Sequence, residues 1–296
     1  MKFGRGAGIF LLWSVAAGVL VTSNGLAAGL GLTSPDDHRP LDIEAEQGIE
    51  WQQNNQVYIV RGNARASRGN ATVYADTLIA HYRPAPPDRA KPAEPGALTG
   101  STDIYRVEAE GNVRLATDTQ TVYGDRAVYD LDSATAVVTG KHLKLVTPRD
   151  TVTARDSLEW YDNTLIAVAR GEAVAVRETK RLAGDVLTAQ VVKPADGPSR
   201  ISRIDAEGHV LVTTLNEIAR GATGVYNVDT GIATLAGGVT ITRGDNELRG
   251  QYGVVDLNNN VSRLLSAPPG GTAPRAPVQG LIIPRTKTPV PPAKSP

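Results

Sequence analysis

The chain has 296 residues, with 31 basic and 31 acidic side chains, four histidines and no cysteine. The balanced charge lacks the basic excess with which nucleic-acid-binding proteins attract phosphates, so no nucleic-acid partner is expected. Without cysteine the chain can form neither disulfides nor thiolate metal sites. Because the histidines are scattered, no pair of them has the spacing of metal ligands. We therefore predict no metal and no cofactor.

The N-terminus has the features of a secretory signal peptide. Two basic residues precede an apolar run over 9–21, and small residues follow at Ala27 and Ala28. The run is shorter than the roughly 20 residues that a membrane span needs. We predict a cleaved signal peptide over 1–28, a short linker over 29–40, and export to a bacterial periplasm. An uncleaved anchor is the alternative, because no charged residue follows the apolar run before the linker.

Proline is unevenly distributed along the chain. Most of the 19 prolines lie in the last 31 residues and in two short internal patches. Since proline cannot donate a hydrogen bond to a sheet, the segment between these patches can be sheet and the patches can be loops. We predict a β domain over 41–265, with loop inserts at 84–103 and 193–200. A Pro-rich flexible tail is predicted over 266–296.

The predicted domain contains a repeat of about 29 residues, visible when 122–140 is compared with 218–237. Each unit ends at a glycine, except the last, which ends at Ser266, and we take as its anchor the residue 15 positions before that end, with the inserts not counted. Successive anchors are 29, 49, 31, 29, 37 and 29 residues apart, and the two long spacings equal 29 plus the lengths of the inserts. The anchors are Gln47, Asp76, Asp125, Asp156, Asp185, Ala222 and Gln251.

Each unit predicts two strands separated by a polar turn. Apolar and polar residues alternate with a period of two, and signals for helices are missing, so the fold class is all-β. Seven units of two strands give about 14 strands in mutually dependent, stacked repeats. The repeat glycines are expected to mark bulges or bends where strands turn a corner.

Four segments of the chain carry a resemblance to a known family. They are IEAEQGIEW (43–51), YRVEAEGNVRL (105–115), VYGDRAVYDLDSATAVVTG (122–140) and RIDAEGHVLV (203–212). They resemble the OstA-like family, which includes the periplasmic lipopolysaccharide-transport bridge LptA, the periplasmic part of its inner-membrane partner LptC, and the N-terminal domain of the outer-membrane translocon LptD. The resemblance implies a twisted, open β-jellyroll, in which two V-shaped sheets enclose an apolar groove for acyl chains.

The resemblance also implies a function. The protein would be a lipid carrier without catalytic residues that bridges the inner and outer membranes during lipopolysaccharide export and outer-membrane assembly. Its implied partners are the lipid A part of lipopolysaccharide, an LptC-like anchor, an LptD-like translocon, and further copies of itself joined head to tail. Two alternatives stay open: a membrane-anchored LptC-like partner of the same pathway, and a glycan-acting β-solenoid enzyme.

The candidates for the groove are apolar residues at alternate positions of a strand, whose side chains lie on the same face of the sheet. Most lie two or four residues after an anchor, and the others follow a repeat glycine. They can be ordinary sandwich core or the wall of a lipid groove, and with the resemblance we expect both. The candidates are Ile49, Trp51, Leu78, Tyr129, Leu158, Trp160, Leu187, Tyr226, Val113, Leu115, Val210, Val212, Val239 and Ile241.

The recurring anchor aspartates allow two interpretations. They could form a carboxylate ladder that binds cations or acts on a glycan, but local bonds to backbone donors near a turn are favoured. Their parity would place them on the same face as the apolar candidates. They must therefore lie at the rim of the sheet, or a bulge must intervene.

The two ends of the repeat array predict edges that can pair. The first strand, 42–51, carries Asp42, Glu44, Glu46 and Glu50, whereas the last unit carries Arg249 and Arg263. Neither edge contains proline, so head-to-tail strand addition is expected. Within the tail, the segment from Val278 to Arg285 is either a linker or a short strand that pairs with a sheet edge. A tail folded over the C-terminal edge is expected to limit assembly.

Overall fold

The computed structural model describes residues 42–84, 102–194, 199–256, 258–259, 261–268 and 277–283. The predicted signal peptide and linker, most of the first insert and much of the tail lie outside the described residues. The domain boundaries therefore stay a prediction.

The described residues are strands and turns, and every strand pairing is antiparallel, as the all-β prediction requires. The first nine strands are β1 (Asp42–Glu44), β2 (Gly48–Gln52), β3 (Val57–Arg68), β4 (Ala71–Pro84), β5 (Thr102–Ala116), β6 (Thr121–Asp130), β7 (Thr135–Thr139), β8 (Leu143–Val146) and β9 (Asp150–Ala154). The other nine are β10 (Ser157–Tyr161), β11 (Ile166–Arg177), β12 (Lys180–Val192), β13 (Arg200–Thr213), β14 (Ile218–Asn227), β15 (Ile232–Arg243), β16 (Asn246–Asp256), β17 (Val261–Leu265) and β18 (Gln279–Leu281).

Eight of these 18 strands are halves of four longer, broken strands. β1 and β2 pair with the two ends of β3, and β17 and β18 pair in the same way with β16. β7 and β8 together line β6, and their partners β10 and β9 line β11. Ten unbroken and four broken strands give 14 strands in an antiparallel meander. This is the number that seven two-strand units predict.

The turns at opposite ends of the strands are closed by different side chains. At one end an Asx side chain closes the turn, as where Asp130 Oδ1 accepts a bond from Ser133 N at 2.8 Å. At the other end a threonine does so, as where Asp150 N donates to Thr147 Oγ1 at 2.9 Å. These short side chains favour turns because they satisfy backbone groups locally. The polar residues between the apolar runs therefore set the strand lengths.

The strands bend at one common corner. On β3 the register shifts by one residue between Arg61 and Ala64, and on β5 it shifts between Glu110 and Val113. The anchor residues lie at this corner, and all seven of them are exposed. A bulge or a strand break therefore separates each anchor from the apolar residues that have the same parity in the sequence. This confirms the predicted intervening bulge as the reason why the anchors and the apolar residues do not share a face.

The repeat glycines are required at this corner for two reasons. Gly111 and Gly208 have φ values of +77° and +71°, a region that side-chain-bearing residues rarely adopt. A Cβ atom at Gly111 would lie 2.1 Å from Asp76 Oδ2, and one at Gly208 would lie 2.0 Å from Asp185 Oδ2. The anchor of one strand thus packs on the glycine of the next strand, which confirms that the repeat glycines mark bulges.

The corner divides the sheet into two arms. Arm A contains β2, β7, β10 and β17, and arm B contains β1, β8, β9 and β18, while the ten long strands cross both. Their inner faces share one hydrophobic core, which includes Leu158 on arm A and Val73 and Leu115 on arm B. Val210 and Val239, just beyond the bulge, are each only 1% exposed. The structure is thus the twisted β-jellyroll that the sequence predicts.

Candidate functional site

The apolar candidates occupy the inner face of both arms, and those nearest the corner are buried. On each arm they form rows across the sheet, because register partners such as Leu158 and Val138 lie side by side. The buried candidates pack in the core between the arms, and whether lipid reaches them stays a prediction. They are Leu78, Leu158 and Leu187 on arm A and Val113, Leu115, Val210, Val239 and Ile241 on arm B. Val212, also on arm B, is half-buried.

The aromatic candidates form a second row on arm A, farther from the corner. Tyr129, Trp160 and Tyr226 are half-buried, and their register partners include the small residues Ala136 and Ala167. Alternation of large and small side chains leaves furrows between the rings. We call the three aromatic residues the aromatic lip of the groove.

Two of the three polar groups of the aromatic lip are bound by one carboxylate, that of Asp162. Trp160 Nε1 donates to Asp162 Oδ1 at 2.9 Å, and Tyr129 OH donates to Asp162 Oδ2 at 3.3 Å. These bonds satisfy the groups that would otherwise oppose contact with hydrocarbon. The ring faces therefore remain apolar surface that a ligand can cover.

Two adjoining apolar hollows lie between the arms. The first is lined by Val73 and Leu115 of arm B and by Ala127 and Val138 of arm A, among others. The second shares Leu115 and Val138 and extends to Trp160. The hollows follow the inner face from the core toward the aromatic lip.

The tip of arm B carries two ion pairs, Arg177 with Asp150 and Arg243 with Glu217, which we call the charged lip. They flank the tight turns, where Asp150 accepts a hydrogen bond from Arg177 Nε at 2.6 Å and Glu217 accepts one from Arg243 at 2.5 Å. Burial raises the pKa of Tyr226, and the positive charge of Arg177 partly opposes this rise. Arg177 of arm B therefore lies close enough to Tyr226 of arm A for its charge to act on the phenol group.

The inner face is open at the N-terminal edge. Ile49 and Trp51 of β2 are each 50% exposed although they continue the apolar rows. Trp51 stacks on Tyr58 with ring centroids 5.8 Å apart, and its Nε1 donates to Tyr82 OH at 2.7 Å. The aromatic surface at this edge is therefore fixed in place and available for contact.

The anchor aspartates are satisfied one by one. Asp76 accepts a bond from Asn112 Nδ2 at 2.9 Å, and Asp125 accepts one from the backbone N–H of Lys141 at 2.8 Å. Asp185 lies 2.9 Å from His209 Nδ1. Each partner directly follows a repeat glycine, so these contacts support a structural role for the anchors. Only Asp125 accepts from a backbone donor, and Asp76 and Asp185 contact side chains of the neighbouring strand instead of the expected local backbone groups. Nowhere in the described segments do three or more His, Asp or Glu side chains gather as a metal site would require.

The outer face of arm A holds a carboxylate that sequence patterns did not reveal. Glu159, with its side chain 10% exposed, accepts bonds from Ser157 Oγ and Tyr161 OH at 2.7 Å and from Arg170 Nε at 2.9 Å. Burial raises the pKa of Glu159, but these three bonds outweigh burial and the net shift is downward. The cluster closes the outer face between β10 and β11.

Acidification should therefore weaken the fold through Glu159. A carboxyl whose pKa is lowered on folding contributes stability above its unfolded value, near 4.5, and that stability is lost as the pH falls through the folded pKa. We expect Glu159→Gln to lower the free energy of unfolding at pH 7 by about 1–2 kcal/mol. The loss should shrink as urea denaturation is repeated toward pH 3.

The matched control is Glu172→Gln, since Glu172 is 75% exposed and pairs with Arg155, itself 62% exposed. This variant should leave both the stability and its pH dependence unchanged. A Glu159→Gln deficit that stayed constant down to pH 3 would show that the carboxylate charge does not stabilise the cluster.

No helix in the described part of the chain is long and apolar enough to cross a membrane. An uncharacterized protein of Rhizobium meliloti (strain 1021) is 28% identical over 116 residues, covering 39% of this chain and 56% of that protein. The chain thus matches about half the length of this curated relative. LptH of Pseudomonas aeruginosa, described as the LptA-homologous periplasmic component of the lipopolysaccharide transport device, aligns with 23% identity and a TM-score of 0.40, covering 46% of this chain and 95% of LptH.

A family model described as LptA/(LptD N-terminal domain) LPS transport protein matches residues 42–157 and 151–261. Together these two matches span well over half of the chain and nearly all of the described sheet. The chain therefore belongs to this lipopolysaccharide transport family, whose members are transport proteins and not enzymes.

Proposed function

We propose that this protein is a periplasmic carrier that shields the acyl chains of lipopolysaccharide in the groove between its arms. The observation that carries the proposal is the apolar inner face, which runs from the shared core to the half-buried aromatic lip and to the exposed Ile49 and Trp51 at the N-terminal edge. Family membership supplies lipopolysaccharide as the cargo. The Rhizobium and Pseudomonas relatives do not add to this argument.

The groove addresses the main barrier to moving a lipid through water. Each CH₂ group taken out of water gains about 0.8 kcal/mol, so a lipid with several chains leaves a membrane slowly by itself. Apolar surface between the arms lowers this barrier without consuming energy. In this proposal, other proteins supply the energy that drives transport.

The two lips suit an amphiphile with an apolar part and a polar head. Acyl chains would lie on the furrowed aromatic side, beside Tyr129 and Trp160. The lipid head would stay at the mouth, near the charged residues at the tip of arm B. Buried contact with the fully enclosed residues, such as Val210, would require the arms to separate.

We further propose that the edges of the sheet connect protomers and partners in line. The N-terminal edge, β1 and β2, would receive an LptC-like domain or a preceding copy, and the C-terminal edge would reach an LptD-like domain or a following copy. Strand addition of this kind does not close on itself, so it can extend into rods. The export of the chain by a cleaved signal peptide is part of the same proposal.

Photo-crosslinking tests the groove directly. A photo-reactive residue placed at Trp160 or Tyr226 should trap lipopolysaccharide in cells, because both positions lie on the aromatic lip. The same residue at Thr223 should not, because Thr223 is exposed on the opposite face of β14. Trapped product is measured as a lipopolysaccharide-positive band shift. Equal trapping at Thr223 and Tyr226 would contradict the groove assignment.

A further inference from the structure

The outer face of arm B carries a row in which cationic and aromatic side chains alternate. Register partners place these residues side by side on five neighbouring strands, β3, β4, β5, β6 and β8. Their side chains point away from the groove, because the residues before and after them, such as Val113 and Leu115, belong to the core. The row consists of Arg65, Tyr74, Arg114, Tyr123 and Lys144.

Most positive charges on this face lack a carboxylate partner. The outward cations on the middle strands of arm B are Arg114, Lys144, Arg181 and Arg220. None of the four forms an ion pair within the described ranges. On the middle strands of arm A, by contrast, outward arginines are paired with carboxylates of the same face, as Arg126 is with Glu108. The chain as a whole is neutral, so the positive charge is a property of this one face.

Carboxylates are missing from the strands around the row. The next outward row, nearer the tip, contains small and hydroxyl-bearing residues such as Thr72, Ala116 and Thr121. The nearest carboxylates on β4 and β6 are the anchors Asp76 and Asp125 at the corner, and each already accepts a hydrogen bond there. A ligand on this part of the face therefore meets cations as its nearest charged neighbours within the row.

Tyr123 lies at the centre of the unpaired cations. Its side chain is 41% exposed, and its register partners are Arg114 on one side and Lys144 on the other. Because neighbouring strands are about 4.7–4.9 Å apart, the Cα atoms of the two cations lie roughly 9–10 Å apart. The guanidinium carbon of Arg114 lies 3.8 Å from the ring centroid of Tyr74, which holds this cation in place.

The same features favour one class of ligand. A phosphate ion alone would leave the exposed ring unused, and a lipid surface would require several large apolar side chains to enter it. Within the described residues of β3 to β8, Tyr123 is the one exposed large apolar side chain. A saccharide suits both features, because the C–H face of a sugar ring packs on an aromatic ring while its phosphate or carboxylate groups bind cations.

The row is also close to the mouth of the groove. Tyr123 is the third residue of β6, which follows the turn over 117–120 at the tip of arm B. At about 3.4 Å per residue, Tyr123 lies roughly 7–10 Å from this turn. The last residue of the turn, Gln120, lines the second hollow on the inner side. A saccharide joined to acyl chains in that hollow would therefore cross this tip to reach the outer row.

We propose that Arg114, Tyr123 and Lys144 form a binding site for an anionic saccharide, the sugar part of the lipopolysaccharide cargo. The site rests on the carrier function proposed above and adds a contact with the same cargo outside the groove. The Tyr123 ring carries the sugar, and the two cations bind its anionic groups. Tyr74 acts as a positioning residue for Arg114.

A saccharide without acyl chains tests the site separately from the groove. The probe is the acidic core oligosaccharide that mild acid releases from lipopolysaccharide, titrated into the purified protein in a calorimeter. Maltoheptaose, which is neutral, and inorganic phosphate are the comparison ligands. The variants are Tyr123→Ala and Lys144→Gln. The matched control is Arg220→Gln, because Arg220 is another unpaired outward cation of arm B whose register partners, Leu211 and Thr240, are not aromatic.

We expect each variant to raise the dissociation constant of the oligosaccharide roughly tenfold, whereas the control should bind like the wild type. Maltoheptaose and phosphate should bind more weakly than the oligosaccharide. Circular dichroism should show all variants folded, since the three substituted side chains are exposed.

Three results would overturn the site. A wild-type protein that does not bind the oligosaccharide lacks it, and an equal loss in Arg220→Gln would show diffuse attraction by the whole face. Equally tight binding of phosphate would show a site for small anions. If polyglutamate binds and the oligosaccharide does not, the face belongs to an acidic protein partner. Capture of lipopolysaccharide by a photo-reactive residue at Trp160 is measured separately, so it decides the carrier function whatever happens at Tyr123.

Discussion

Replacing Gly111 with alanine should lower the free energy of unfolding by about 3 kcal/mol or more. The backbone strain at its φ of +77° costs roughly 1–3 kcal/mol for a residue with a Cβ. The added atom would also lie 2.1 Å from Asp76 Oδ2, so the anchor or the strand must shift. Urea denaturation followed by circular dichroism measures the loss.

The control separates backbone strain from close packing. Gly244 has a φ of +57°, but a Cβ atom there has no neighbour within 4 Å. Gly244→Ala should therefore cost only about 1 kcal/mol. Gly111→Ala should also cost less in an Asp76→Ala background than in the wild type, because the two sites are in contact. Additive losses in this double-mutant cycle would show that the anchor does not press on the glycine.

This corner explains why the repeat could be recognised from the sequence. An exposed anchor such as Asp76 and a glycine such as Gly111 are coupled by direct contact across two strands, so each constrains the other in the six units that end at a glycine. The inserts leave this contact intact, because Pro84 and Thr102 are paired at the base of the first one. Strand number and the bulges therefore follow from sequence spacing alone.

The division of the candidates into core and lip does not follow from sequence. Leu158 and Trp160 have the same parity and lie two residues apart, yet Leu158 is buried and Trp160 is half-buried. The difference is a tertiary property, because Leu158 belongs to the core that both arms share, whereas Trp160 packs at the side of a second, smaller cluster around Val191 and Ile201. Parity identifies the inner face but gives no distance from the corner.

The charged lip and the Glu159 cluster were also not predicted. Arg177 and Asp150 are 27 residues apart in the chain, and they meet only because β9 and β11 pair. Their signal is weak, since each is a single charged residue beside a turn, where charged residues are common. The outward parity of Glu159 is typical of an ordinary solvent-exposed residue. Its three hydrogen-bond partners can be identified only from the structure.

A chain with cysteine in place of both Glu50 and Arg263 should form disulfides between successive copies. On a gel these linked copies should appear as a ladder of oligomers. Across arm A one row of register partners runs through every strand, beginning with Glu50 beside Ile59 and ending with Val254 beside Arg263. If a second copy continues the sheet, Arg263 of one copy lies opposite Glu50 of the next. Directly opposed Cβ atoms in an antiparallel pair are about 4.5–5.5 Å apart, which is close to disulfide geometry.

The natural charges favour the same register. Glu50 is 50% exposed and is bound on one side by Arg61 at 2.6 Å, while Arg263 is exposed and forms no ion pair with any residue in the described ranges. Because the chain has no cysteine of its own, every disulfide must join introduced residues. Non-reducing gels of the oxidised double variant should show a ladder that grows with protein concentration.

The control moves one cysteine along the strand. Cysteine at Val261 lies two residues from position 263, and it would face Glu50 only diagonally, at about 7–8 Å, where a disulfide cannot form without backbone movement. The Glu50–Val261 pair should therefore stay monomeric on the same gel. A ladder with this pair and none with Glu50–Arg263 would place the junction in another register. Ladders from neither pair would show that copies do not join by continuing the sheet across arm A.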